Sequence, residues 1–181
     1  DTYIKIAALI HDIGKPDTFV FGDEIGRCPG HPEKSAEHWL DIAAALKVDT
    51  FTKDRVYTIT KYHDLYFRPE QVLLKKWLHK FGPELVYEIL EIKRADNLAV
   101  GCDVTQLIEM FDNIKVMLDD IIASNQCYSY KQLAVTGADL IDRGITGKRV
   151  GELLKDILYK VIAEDLPNDR NVILAEIDKY I

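Results

Sequence analysis

A hydrophobic period of 3.6 residues runs through nearly the whole chain and leaves little room for anything but helices. After Gly147, residues Val150, Leu153, Leu154, Ile157, Leu158, Val161 and Ile162 recur at i, i+3, i+4 and i+7. That spacing lines one face of a helix, whereas a half-buried strand needs a period of two. The same reading predicts helices over 2–13, 31–46, 52–63, 69–80, 83–100, 105–124, 138–143 and 168–180. Pro69 and Pro83 suit first helical turns, where a missing N–H costs nothing, and Gly14, Gly82, Gly101 and Gly144 stand where chains leave helices. Strand character is confined to Phe19-Val20-Phe21, which with Gly22-Asp23-Glu24 and Ile25-Gly26 reads as a small hairpin or irregular loop near 19–25. The fold class that follows is all-α.

At 181 residues the chain is long enough for one compact domain, or for a domain with an appendage. With 48% hydrophobic and 29% charged residues its composition is ordinary for a globular protein, which excludes disordered and low-complexity classes. A net charge of −7 excludes a blanket basic coat for nucleic acid and leaves room for a local basic patch. Residues 1–100 hold 14 basic against 16 acidic side chains, net −2, and residues 101–181 hold 9 against 14, net −5. Ser-Asn-Gln-Cys-Tyr-Ser at 124–129 breaks a long helix, so a main helical domain over 1–124 and a smaller helical unit over 125–181 are expected. Cys28, Cys102 and Cys127 form no C-x-x-C pair and make a poor disulfide framework, which points to a reducing, cytoplasmic setting. No apolar run approaches the ~18 residues of a membrane span, so no membrane partner is expected. The chain opens Asp-Thr-Tyr without Met, as a fragment of a longer protein would.

The chemistry is concentrated where helices end. The first helix closes in Ala-Ala-Leu-Ile-His11-Asp12-Ile-Gly14-Lys15-Pro16. It delivers an adjacent imidazole and carboxylate to its C-terminal end, with the Lys15 cation just beyond, which is half of a metal site beside an anion-binding charge. His31 opens a helix after Pro29-Gly30, His63 closes another, and Asp96 lies in Lys93-Arg94-Ala95-Asp96. These groups could meet around one or two divalent cations such as Mg, Mn or Ni, which lower the pKa of bound water toward ~7 and clamp phosphate oxygens. The plainer alternative for each is a helix-end hydrogen bond. His38 and His79 read as solvated or partly packed, and Cys28, three residues before His31, lacks a second pair to complete a zinc site. Lys75, Lys76 and Lys80 read as a solvated face. In Arg143-Gly144-Ile-Thr-Gly147-Lys148-Arg149, glycines and basic residues lead into a helix N-terminus, a place that favours phosphate. Arg143, Lys148 and Arg149 are therefore candidate contacts to a nucleic-acid backbone, the alternative being an ordinary turn between helices.

Leu9-Ile10-His11-Asp12-Ile13-Gly14-Lys15 with the later Asp96 resembles the HD superfamily of metal-dependent phosphohydrolases. More closely, that run with Gly30-His31-Pro32-Glu33-Lys34-Ser35-Ala36, Tyr62-His63-Asp64, Leu90-Glu91-Ile92-Lys93-Arg94-Ala95-Asp96-Asn97 and Asn125-Gln126-Cys127-Tyr128-Ser129 is similar to the C-terminal half of bacterial CCA-adding tRNA nucleotidyltransferases and the related poly(A) polymerases. The tail from Leu133-Ala134-Val135-Thr136-Gly137 through Leu166-Pro167-Asn168-Asp169-Arg170 matches the same family's last helical region, so the resemblance covers essentially the whole chain. It implies an HD-type helical bundle over 1–124 extended by a tRNA-holding helical unit, with tRNA as partner. It also implies an N-terminal nucleotidyltransferase domain that this sequence does not contain. His11, Asp12 and Asp96 would bind one cation, His31 and His63 would match positions used for a second, and Lys15 would neutralise the phosphate of a nucleotide or other phosphoester substrate. The HD signature also begins with a histidine upstream of the His-Asp pair, and none of the ten residues before His11 is one. Two further readings stand beside the enzymatic one: a catalytically silent HD scaffold that only positions tRNA, and a stand-alone HD phosphohydrolase acting on nucleotides.

Overall fold

The structure is a computed structural model that describes residues 2–21, 26–99 and 104–180. Among the described residues the chain forms ten α-helices: α1 (Thr2–Ile10), α2 (Lys15–Thr18), α3 (His31–Ala45), α4 (Thr50–Tyr62), α5 (Gln71–Phe81), α6 (Pro83–Ala99), α7 (Thr105–Ala123), α8 (Gly137–Ile141), α9 (Lys148–Ile162) and α10 (Arg170–Ile177), the last continued by a 3-10 turn (Asp178–Tyr180). The all-α fold class is as the sequence implies. The hairpin near 19–25 reduces to one antiparallel bridge, in which Val20 and Arg27 exchange N–H···O bonds of 2.8 and 3.0 Å. Residues 22–25, where the sequence places the hairpin's tip, lie outside the described residues, as do Val100 and Gly101 at the predicted end of α6.

Several boundaries differ from expectation for local reasons. The first helix stops at Ile10, not at residue 13, and His11 and Asp12 occupy the turn that follows. Asp49 caps α4 by accepting the Thr52 N–H at 3.0 Å, so that helix begins two residues early. Pro83 opens α6 as predicted, but Pro69 lies before α5 rather than in its first turn.

The chain divides into two compact units, Asp1–Phe67 with Glu84–Phe111, and Arg68–Pro83 with Asp112–Ile181. The first is built on a core of Ala7 and Ile10 from α1, Trp39 and Ala43 from α3, Val56 and Ile59 from α4, and Ile92 from α6. Each fully buried aliphatic side chain there contributes about 1.5–3 kcal/mol relative to exposure. Polar ties fix the helices around that core: Trp39 donates to the Lys53 carbonyl at 2.8 Å, and Arg55 of α4 holds Glu88 of α6 at 2.7 Å. The second unit packs the apolar stripe of α9, with Ile157, Leu158 and Ile162 at its centre, against Leu140, Ile173 and Ile177. Asp139 joins α8 to α10, accepting from Arg170 at 2.5 Å and from the Thr136 N–H at 2.7 Å. Lys75, expected in a solvated face, is only 6% exposed because Glu164 meets its ammonium at 2.9 Å within this unit. Among the described residues no helix is long and apolar enough to cross a membrane.

One close approach in the first unit sets the turn after α1 against the start of α3. The Gly14 N–H donates to the buried Ser35 hydroxyl at 2.9 Å, and a Cβ at position 14 would stand 2.5 Å from the Ser35 nitrogen and 2.9 Å from the His31 carbonyl oxygen. Backbone cannot yield as a flexible side chain can, so the residue must be glycine for want of space. Gly14→Ala is expected to cost about 1–3 kcal/mol of stability in urea unfolding. An unchanged midpoint would show that the two segments part easily.

Candidate metal centre

Three imidazoles reach one place by the same local device. His11, His31 and His63 each sit at a helix end or in the adjoining turn, and each directs Nδ1 at the backbone carbonyl three residues earlier: Ala8 at 2.8 Å, Cys28 at 2.9 Å and Thr60 at 2.7 Å. A carbonyl only accepts, so each Nδ1 carries a proton, and in the neutral ring each Nε2 presents a lone pair. All three lone pairs face the Asp12 carboxylate. His11 Nε2 lies 3.2 Å from Asp12 Oδ2, while His31 and His63 Nε2 lie 3.3 and 3.9 Å from Oδ1. Asp96 of α6 adds a second carboxylate, its Oδ1 3.5 Å from His11 Nε2. The His63 ring contacts both the His11 and the His31 rings, at centroid separations of 5.0 and 5.1 Å.

The arrangement is electrostatically incomplete. His31 and His63 Nε2 are 3.2 Å apart. In the neutral tautomers that the two carbonyls select, neither nitrogen has a hydrogen to give the other. His11 Nε2 and Asp12 Oδ1 are buried without a hydrogen-bond partner, a condition that ordinarily costs about 1–3 kcal/mol per group. Burial pushes the His63 imidazole below its ordinary pKa, which keeps it neutral and able to donate its electron pair. Burial would raise the Asp12 carboxyl, but the Lys15 ammonium, hydrogen-bonded to Oδ2 at 2.5 Å, acts together with the neighbouring His11 and His31 rings to hold the group below the usual carboxylate range. These donors fit a divalent cation. Two ligand atoms bound at ~2.0–2.2 Å to one ion can be at most ~4.4 Å apart, and the distances of 3.2–3.9 Å among these groups lie inside that limit. Ligand atoms of His11, Asp12 and His63 lie within 4.8 Å of one another.

The other residues singled out in the sequence fall elsewhere. His38 pairs with Asp17 at 2.5 Å, and His79 donates from Nδ1 to the Tyr128 carbonyl at 3.0 Å. The Cys28 contribution is its carbonyl. Arg143 is engaged within the second unit, by Asp178 at 3.0 Å and the Asp139 carbonyl at 3.4 Å. Lys148 and Arg149 are exposed in the first turn of α9, after Gly144 and Gly147 at φ of 82° and 65°. Cations there oppose the helix dipole, which an anion would relieve. Sequence reasoning missed the supporting shell: the three carbonyls, Ser35, and Asp64, whose carboxylate is ion-paired to Lys93 beside the cluster. The recurrent histidine three residues after a helical or turn carbonyl was the available signal.

The family described as tRNA nucleotidyltransferase domain 2, putative, matches residues 30–177 of this sequence. The chain belongs to that family. The matched span includes His31, His63 and Asp96, and His11 and Asp12 precede it. A curated relative, the A-adding tRNA nucleotidyltransferase of Deinococcus radiodurans, is 26% identical over 159 residues, covering 86% of this chain and 36% of the relative. The chain therefore spans little more than a third of that relative's length. No solved structure gives a significant match.

The tautomers supply a direct check. At neutral pH without added metal, long-range 1H–15N spectra should show His11, His31 and His63 all protonated at Nδ1 with unprotonated Nε2. Protonation at Nε2 in two of the three would contradict the geometry.

Proposed function

We propose that this chain is the helical part of a tRNA nucleotidyltransferase, that its His-Asp cluster is a divalent-cation site of the HD phosphohydrolase type, and that its second unit holds tRNA. One observation carries the reading: three imidazoles whose Nδ1 atoms are spent on backbone carbonyls turn Nε2 on one ionised, partly buried carboxylate, and His11 Nε2 and Asp12 Oδ1 have no hydrogen-bond partner. A helix-capping role would leave those nitrogens facing solvent or a donor. His11, Asp12 and Asp96 would hold one cation, and His31 and His63 would complete that site or form a second. A bound divalent cation supplies Lewis acidity, lowering the pKa of a bound water and polarising a phosphoryl oxygen. The chain's own residues do the rest. The backbone carbonyls lock the imidazole tautomers, as hydrogen-bonded supports of metal ligands ordinarily do. Asp12 stays ionised, and Lys15, 46% exposed at the side chain, offers its charge to a phosphate that approaches Asp12. The substrate class is a phosphomonoester or cyclic phosphodiester of a nucleotide or RNA end.

The partner is inferred from the family and from the relative's name, and the candidate contacts are Arg143, Lys148 and Arg149. Of these, Lys148 and Arg149 point the reading to α9, while Arg143 would exchange its Asp178 partner for phosphate. The setting proposed for such a protein is the cytoplasm.

Two experiments test this reading. Mn²⁺- or Ni²⁺-supported hydrolysis of a 2′,3′-cyclic nucleotide should fall at least about tenfold in His11→Ala, since loss of supporting partners alone costs 10–100-fold at metal sites. Equal rates would favour a scaffold that only positions tRNA. In the complete enzyme that contains this chain, joint replacement of Arg143, Lys148 and Arg149 by Ala should weaken tRNA binding alike for different sequences and flatten the slope of log K against log salt by ~0.7–0.9 per lost contact. An unchanged slope would return these residues to a solvated helix start.

A further inference from the structure

We infer that the cation cluster is flanked by a nucleobase subsite, so that the substrate of the proposed phosphohydrolase is a nucleotide read at its base and not a bare sugar phosphate. The inference rests on the reading of the cluster given above and adds a second site to it. Beside the cluster, within the first unit, lies a cavity of about 220 Å³ lined by Asp64, Tyr66, Phe67, Lys93, Asn97, Met110 and Phe111. Its size is below the ~300–1,000 Å³ that holds a drug-sized molecule, and suits one ring system rather than a whole polymer segment.

Two chain segments connect this cavity with the cluster. Asp64 follows His63 and Asn97 follows Asp96, so lining residues and proposed ligands have Cα atoms ~3.8 Å apart at both places. Lys93, one turn before Asn97 on α6, pairs with Asp64 and ties the two segments together. On this inference a phosphate held at the cluster carries its base into this neighbouring cavity.

The lining chemistry matches a flat heteroaromatic ring. Phe67 and Phe111, 5% and 2% exposed, and Tyr66, 56% exposed, bring three aromatic rings to the lining. Aromatic faces accept any base by stacking. The polar groups suit a base edge. Asn97 spends its Nδ2 on the Lys93 carbonyl at 2.7 Å, which leaves Oδ1 as an acceptor, and the Asp64–Lys93 pair brings one more acceptor and further N–H donors. An aliphatic side chain or acyl chain would leave the Asn97 Oδ1 unanswered.

The test compares binding, so it does not depend on turnover. With Mg²⁺ present, calorimetric titration of this chain with AMP, CMP, GMP and UMP, each separately, is set against ribose 5-phosphate and against the four nucleosides. At least one nucleotide should bind about tenfold or more tightly than ribose 5-phosphate, a gain of the size that base stacking supplies. Tyr66→Ala, which removes the exposed ring, and Met110→Trp, which fills the cavity, should erase that gain and leave ribose 5-phosphate binding unchanged. Circular dichroism shows whether each variant is folded, and the two act by opposite means, so failure of one to fold leaves the other decisive. Equal binding of every nucleotide and ribose 5-phosphate would overturn the base subsite while the cation site stands. Binding of a nucleoside that Met110→Trp abolishes, with no contribution from phosphate, would uphold the subsite and overturn the reading of the cluster. No binding of any of these probes would overturn the subsite.

Discussion

Three backbone carbonyls, those of Ala8, Cys28 and Thr60, each take the Nδ1 proton of the histidine three residues on, and the rest of the site depends on this repeated bond. The bond is local, spanning three residues in each case. It also commits each Nε2 to a lone pair, and the packing of α1, α3 and α4 then brings those lone pairs to a common carboxylate. A protein folded only for stability would place a donor there. Here the fold tolerates two imidazole Nε2 atoms 3.2 Å apart and two buried polar atoms of the cluster without hydrogen-bond partners. Such local unfavourable terms persist where surrounding structure over-determines them, and they cluster at functional sites.

What over-determines them is the approach of the α1 turn to the start of α3. Gly14 lies two residues after Asp12, and its N–H bond to Ser35 docks that turn one helical turn from His31. The core beneath, with Ala7 and Ile10 against Trp39, Ala43 and Ile59, is apolar and tight, so the cluster has little freedom to splay apart. Lys15 neutralises Asp12 from the solvent side, and Asp64 with Lys93 braces the turn after α4 against α6.

Much of this was legible in the sequence, for physical reasons that differ by element. The α9 stripe was read directly because seven apolar residues at helical spacing admit one solution. The His11-Asp12 pair and the later His31, His63 and Asp96 were legible as ligand types at helix ends, which is local information. Their convergence depends on long-range packing that periodicity does not encode. The same limit explains Lys75, whose spacing with Lys76 and Lys80 suggested a wet face; its burial depends on Glu164, 89 residues away. It also explains why α5 groups with the chain after Phe111, a division that charge balance did not indicate. Arg143 illustrates the converse: a basic residue beside a glycine turn suggested phosphate, and Asp178, from the far end of the chain, answers its charge.

The central claim is that the His-Asp cluster exists to hold a divalent cation. The most direct measurement is equilibrium dialysis of the metal-stripped chain against Mn²⁺ or Ni²⁺, followed by elemental analysis, for the natural sequence and for Asp12→Asn. The account predicts that the natural chain retains one or two ions and that Asp12→Asn, with the same circular dichroism, retains none. Equal retention by the two proteins, or none by either, would contradict it.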